Sequence, residues 1–265
     1  MSNLARNVAA TAAVASGVGL LGMVMTGSGV PLSDNNASQH TSAPTYKWEN
    51  NWDKRENEVQ NSQNHARTIY LLQPCTQARP VPQGPLAHTE DGNREVDQAL
   101  EFLRREPFTK IIYSNDELAI NTWRLFYQRW FRDLQPGPNI GKSDCIQEVY
   151  PCTPDPNLRD LVYPDHMIFG YEMKVEAAFR MIFHRADAAQ LNETRELYIC
   201  SPNLIRCLLL RALQMNQNQW SRWNVAPCSI TEIVVRANGY ITVFSVGEKT
   251  RRKATVRQLQ GLRFD

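Results

Sequence analysis

The sequence predicts an α/β fold, a three-layer sandwich in which helices cover both faces of a mostly parallel sheet. Short apolar strand candidates alternate with amphipathic helical stretches along 67–213, the pattern of parallel strands joined by crossover helices. A final pair of strand candidates flanks Asn238-Gly239, which places an antiparallel hairpin at one edge, read as a type I′ turn. The first strand is expected over 67–72 (RTIYLL), followed by a helix over 94–105 and a second strand over 109–114 (TKIIYS). A helix is expected over 117–133, where Ala119, Trp123, Phe126 and Trp130 recur at i, i+4, i+7 and i+11. Residues 134–166 contain six prolines and read as a long irregular excursion of the kind that forms lids or binding loops. A helix over 171–185 carries Val175, Ala178, Phe179, Ile182 and Phe183 along one face. It is followed by a strand over 197–200, a helix over 203–213, and strands over 230–236 and 240–246.

The chain of 265 residues divides into four regions. No charge occurs between Arg6 and Asp34, and Val8 to Met25 is long and apolar enough to cross a bilayer. Residues 1–33 therefore read as a non-cleaved membrane anchor rather than a cleaved signal peptide or a core helix, so the fold carries an N-terminal transmembrane helix. Residues 34–65 have the polar composition of a linker, interrupted by Trp48-Glu-Asn-Asn-Trp52-Asp53. Two tryptophans in such a stretch call for a covering surface, either their own domain or another molecule. Residues 66–247 form the folded domain, and 248–265 form a basic tail that reads as solvated. The balance of 29 basic to 27 acidic residues argues against a nucleic-acid binder. Six cysteines without a CxxC pair read as free thiols packed in a reducing compartment, and no spacing supports a metal site or a cofactor. The sequons at Asn36 and Asn192 carry no weight outside the secretory pathway.

The segments Val175-Glu-Ala-Ala-Phe-Arg180, Ile199-Cys-Ser-Pro-Asn203-Leu-Ile-Arg206 and Arg211-Ala-Leu-Gln214, with the doubled-tryptophan motif, resemble the mitochondrial phosphoglycerate-mutase-like serine/threonine phosphatases of the histidine phosphatase superfamily. The resemblance covers nearly the whole chain and is weakest over 74–166. It implies a site in which a histidine ending the first strand becomes a phosphohistidine. Two arginines and a second histidine would bind the phosphoryl oxygens, and a glutamate would protonate the leaving oxygen. By position, the first arginine becomes Gln73, the nucleophile becomes Pro74, the second arginine becomes Leu118 and the second histidine becomes Ser201. The acid alone is retained, as Glu148. Proline has no nucleophilic atom, and phosphoryl transfer depends on cations around the transferred group. A general acid contributes only about 10²–10⁴-fold. The expectation is a pseudophosphatase, with an active serine/threonine phosphatase as the alternative.

In the resembling family the tryptophan motif joins subunits, so Trp48, Asn51, Trp52 and Asp53 are expected to build homo-oligomers or mixed oligomers with an active relative. Phosphoprotein or kinase clients, a membrane reached through the N-terminal helix and a mitochondrial, outer-membrane location complete the expected associations. The family's acidic Glu-Ser-Gly-Glu adaptor motif is absent from the linker. Rival nucleophiles are weaker readings. Cys200 to Arg206 spells C-x5-R, but Pro202 removes an amide that a phosphate loop would need, and no glycine is present. Cys75 stands where a site mouth would lie. Of His65, His88, His166 and His184, none ends a core strand, and His166 alone follows the long loop closely enough to merit mutation.

Overall fold

The computed structural model describes residues 47–56, 65–76, 89–133, 137–156, 164–187 and 189–249. All of these belong to a compact unit running from Lys47 to Asp265. The expected membrane anchor and most of the basic tail lie outside the described residues. Among the described residues no helix is long and apolar enough to cross a membrane.

Among the described residues six strands form one sheet: β1 (Arg67–Leu72), β2 (Lys110–Ser114), β3 (Asn139–Ser143), β4 (Thr194–Ile199), β5 (Ile230–Val235) and β6 (Ile241–Glu248). Their spatial order is β3-β2-β4-β1-β5-β6. The first four run parallel, β5 is antiparallel to β1 and β6 is antiparallel to β5. The described connections contain the helices α1 (Glu90–Leu103), α2 (Glu117–Arg129), α3 (Asp165–Ile182) and α4 (Pro202–Ala212). The expected mixed sheet with an antiparallel edge is present.

The layers follow from the two-residue period of a strand. Ile69 and Leu71 of β1 face one cluster, with Phe179, Ile182, Leu204 and Leu208 from α3 and α4. Tyr70 and Leu72 face the other, with Leu100 and Leu103 from α1 and Trp123 and Phe126 from α2. One polar set is buried among these. Arg67 donates to both oxygens of Glu196 at 2.8 Å and, through its Nη1, to the carbonyls of Ile182 (3.0 Å) and His184 (2.7 Å). Tyr198 and Thr194 donate their hydroxyls to the same carboxylate. Every lone pair of a buried pair must be satisfied for it to be tolerated, and here the carboxylate is ringed with donors at the N-terminal end of the parallel strands.

Four expectations need correction. β3 and a 3₁₀ turn at Asp144–Ile146 lie inside the stretch read as irregular. β3 reads NIGKS and is mostly exposed, so it carries no apolar alternation and is defined by its pairing with β2. Helix α3 begins at Asp165, six residues earlier than 171, because its first turns are exposed and show no buried face. The β5–β6 hairpin is not a type I′ turn: Gly239 N–H donates to Arg236 O at 2.9 Å, and only the glycine of the Asn-Gly pair has positive φ, +84°. The loop is therefore a three-residue type, with its left-handed residue at the third position. Finally, Cys75 and Cys228 form a disulfide, whereas Cys145, Cys152, Cys200 and Cys207 are free thiols. The two bonded residues are 153 positions apart and meet because β1 and β5 are neighbours, which spacing alone does not reveal.

Candidate functional site

The parallel strands end in register. Leu72 pairs with Ile199 and, on its other side, with Ile230, while Tyr113 also pairs with Ile199. The residues just past these ends converge, and this is the edge where an open parallel sheet places its ligand site. Gln73 and Pro74 follow β1, Ser114 to Asp116 end β2 and begin α2, and Ser201 follows β4 and caps α4. Glu148 stands just beyond the 3₁₀ turn after β3.

The polar atoms of Gln73, Pro74 and Ser201 are engaged in holding the fold. The Gln73 carboxamide, oriented by its surroundings, donates to Val225 O (2.6 Å) and Ala226 O (3.1 Å). Pro74 O accepts from Cys228 N–H at 3.3 Å. The Ser201 hydroxyl accepts from Leu204 N–H and donates to Gln147 O, each at 3.3 Å. It thus performs the ordinary work of a helix N-cap and draws the segment bearing Glu148 against the start of α4. Leu118 is about half exposed on the first turn of α2 and brings no charge.

Glu148 is a protonation site in an acidic neighbourhood. Burial pushes its carboxyl above the usual range, and the nearby Asp116 adds to this. The Val149 N–H, the Asn203 side chain and the more distant Arg206 charge pull the other way, but burial dominates. Arg206 is committed: Nε donates to Trp223 O at 2.7 Å and Nη1 to Asn203 Oδ1 at 2.6 Å. Asp116 accepts from the Ser114 hydroxyl at 2.7 Å, and Asn115 donates to Asp144 at 2.8 Å. Sequence reasoning missed Asp116 and the role of Asn203 and Arg206 as neighbours of Glu148. The i, i+3 spacing of Asn203 and Arg206 on one helix face was the available signal.

The rival nucleophiles sit elsewhere or are chemically occupied. Cys200 is fully buried, and burial pushes its thiol far above neutrality. Cys75 is spent in the disulfide. His166 is exposed in the first turn of α3. The imidazole of His184 is bonded to Arg185 O at 2.7 Å, and burial, with Arg67 nearby, lowers its pKa. His88 lies outside the described residues. Among the described residues no group of three His, Cys, Asp or Glu side chains has the arrangement to hold a metal ion.

The tryptophan motif packs on the chain's own domain. Trp52 is buried in the α3–α4 core cluster, and its indole N–H donates to Gly239 O at 2.9 Å. Its ring meets Phe179 at 5.8 Å between centroids and lies under the Arg185 guanidinium. Asp53 pairs with Arg185, both side chains being almost fully buried, and Arg185 also reaches Asn50 O. Trp48 is half-buried against the same cluster. Asn51 accepts from Glu56 N–H at 3.1 Å and shapes the turn between them.

No protein-family model matches the chain. The serine/threonine-protein phosphatase PGAM5, mitochondrial, of Xenopus laevis is 28% identical over 253 residues, which is 86% of this chain and 90% of that protein. The human protein of the same name is 32% identical over 174 residues, covering 60% of this chain and 58% of its own length. This chain is similar to the PGAM5 phosphatases. Solved structures agree on the fold. An Escherichia coli K-12 protein described as an alpha-ribazole-5'-P phosphatase superposes with a TM-score of 0.53 at 14% identity, over 71% of this chain and 99% of the other. Bacillus stearothermophilus YhfR gives 0.51 at 14% identity, over 69% and 97%. The fold is phosphoglycerate mutase-like, and the PGAM5 likeness extends beyond it along most of the chain.

Proposed function

We propose that this chain is a mitochondrial pseudophosphatase, a PGAM5-like domain that binds and organises without turning over phosphate. The observation that carries this reading is the engagement of Gln73, Pro74 and Ser201 in structural hydrogen bonds at the strand ends where a phosphohistidine site needs a nucleophile and cations. Electrostatics supports it. An anion brought within about 4 Å of a second negative charge meets roughly 4 kcal/mol of repulsion at an effective dielectric constant near 20. The carboxyl groups of Glu148 and Asp116 stand at this edge, while the Arg206 guanidinium is already bonded. A carboxylic acid without a nucleophile donates a proton to nothing.

The work left to such a domain is association. Its Trp48–Asp53 motif fits a pocket formed by α3 and the β5–β6 hairpin, and the same pocket on a neighbouring copy offers the same partners. We read the chain as a homo-oligomer, able to mix with an active relative, anchored through residues 8–25 in a mitochondrial membrane, most naturally the outer one, where it meets phosphoprotein or kinase clients. The second reading, an active serine/threonine phosphatase, is favoured by the names of the relatives, but fold and ancestry do not supply a missing nucleophile.

The deciding experiment compares the full chain with its Gln73→Arg, Pro74→His, Leu118→Arg, Ser201→His variant on phosphoserine and phosphothreonine peptides. The parent is expected to be silent and the variant to release phosphate. Turnover by the parent that disappears in Glu148→Ala would sink the pseudophosphatase reading.

A further inference from the structure

The Cys75–Cys228 bond plays no part in the reading above, and its position in the fold is specific. Cys75 directly follows Gln73-Pro74, and Cys228 lies in the segment that enters β5. Around the bond, Gln73 N–H donates to Ser229 O (3.1 Å), Cys228 N–H to Pro74 O (3.3 Å), and the Gln73 carboxamide to Val225 O and Ala226 O. On the far side Cys75 N–H donates to the Thr122 hydroxyl of α2 at 3.0 Å, and Thr76 N–H to Glu95 of α1 at 2.9 Å. One covalent link therefore gathers the end of β1, the 225–229 segment and both helices of one face. Cys228 itself has φ of +55°, a left-handed conformation that a residue with a side chain adopts only when its surroundings hold it there.

We infer that the Cys75–Cys228 disulfide is a redox latch on the strand-end edge. Oxidised, it holds the 225–229 segment against Gln73 and Pro74. Reduced, it releases Cys228 from its left-handed backbone, and the hydrogen bonds that depend on that backbone open with it. The reductant is a dithiol. Its thiolate attacks one sulfur, the Cys75–Cys228 bond breaks and a mixed disulfide forms. The second thiol of the reductant then resolves it, leaving as a cyclic or intramolecular disulfide while two electrons and two protons remain on Cys75 and Cys228. Both sulfurs belong to buried residues, so attack follows local opening of the segment. The four remaining cysteines are thiols, and burial raises the pKa of Cys152, Cys200 and Cys207, which disfavours exchange among them. The latch stands independently of whether the site is catalytically dead, since its readout is structural.

The test is hydrogen exchange on the full chain, purified without reductant and measured with and without dithiothreitol, beside the Cys75→Ser/Cys228→Ser variant. Alkylation of the unreduced protein should leave one cysteine pair unmodified. Dithiothreitol should speed exchange at the Gln73 and Cys228 amides by about tenfold or more while the β4 amides stay slow. The double variant should exchange fast at the same two amides and ignore dithiothreitol. The latch is refuted by six alkylated cysteines in the unreduced protein, by exchange at these amides that reductant or the double substitution leaves unchanged, or by β4 opening in parallel. In that last case the bond staples the whole domain rather than one segment.

Discussion

Two glutamates at opposite ends of the parallel strands, Glu148 half-buried and Glu196 buried, respond to pH in opposite senses. Glu148 has a folded pKa above its ordinary 4.5 because burial disfavours its charge. The folded state therefore holds this proton more tightly than the unfolded chain. The stability it contributes is full below pH 4.5 and is lost as the pH rises through the folded value. Glu148→Gln should leave stability near pH 4 unchanged and raise it at pH 8. Urea midpoints at the two pH values measure this, and an unchanged difference between them would mean that Glu148 is solvated. Burial also pushes Glu196 upward, but there Arg67, the Tyr198 hydroxyl and Lys110 outweigh it and the pKa falls. Its contribution is present above pH 4.5 and is lost as the pH falls through the folded value. Glu196→Gln strips Arg67 of its counter-charge in a site where both side chains are nearly inaccessible. Such a change costs about 3–5 kcal/mol, and calorimetry at pH 7 should register it. Neither role can be assigned from sequence alone. Glu148 is found by its place in a resemblance, and Glu196 sits in the polar first half of β4, whose pattern does not name Arg67 as its partner.

At the scale of elements, the pocket for the tryptophan motif depends on a turn. Gly239 carries the carbonyl that receives the Trp52 indole, and a Cβ built there would stand 2.1 Å from Nη2 of Arg185. Its φ of +84° also disfavours any side chain. Gly239→Ala should displace Arg185 from Asp53, at a cost of about 1–3 kcal/mol, whereas Trp52→Ala opens a cavity costing about 3–5 kcal/mol. A motif that served only as an oligomer contact would have Trp52→Ala leave the melting temperature untouched. Its burial against Phe179 predicts a large drop. Light scattering on both variants adds the second reading. A fall in mass together with the loss of stability fits a motif that a neighbour's pocket also accepts, and an unchanged mass in both removes the oligomer role. The sequence displayed the central elements well, because β1 and β4 end in the apolar runs 69–72 and 197–199 and α2 and α4 have clear faces. It concealed β3, whose exposed NIGKS gains its identity from a neighbouring strand, and it concealed the true turn, because Asn-Gly is compatible with more than one loop length.

Across the whole molecule, the edge formed by the strand ends brings the carboxyl groups of Glu148 and Asp116 together over a sheet whose strands end in register. The placement of Gln73, Pro74 and Ser201 just past strand ends was legible in the sequence, since the apolar pattern located those ends. The disulfide and the Glu148–Asp116 proximity were not, because both join segments that only the folded sheet brings together. The consequence for ligand binding is measurable without catalysis. A ligand that binds only the folded state stabilises it by about 2.7 kcal/mol at a hundredfold excess over its Kd. For domains of roughly 150–250 residues each kcal/mol moves the melting temperature by about 2–4 °C. Inorganic phosphate should therefore leave the melting temperature of the parent chain unmoved at neutral pH, where Asp116 and Glu148 oppose it. The quadruple variant Gln73→Arg, Pro74→His, Leu118→Arg, Ser201→His should gain several degrees, and the gain should shrink as added salt screens its new charges. Equal shifts in the two proteins would place the anion away from this edge. A shift in the parent alone would show that Arg206 leaves Asn203 and Trp223 to receive it, and that this edge reads phosphate without the added cations.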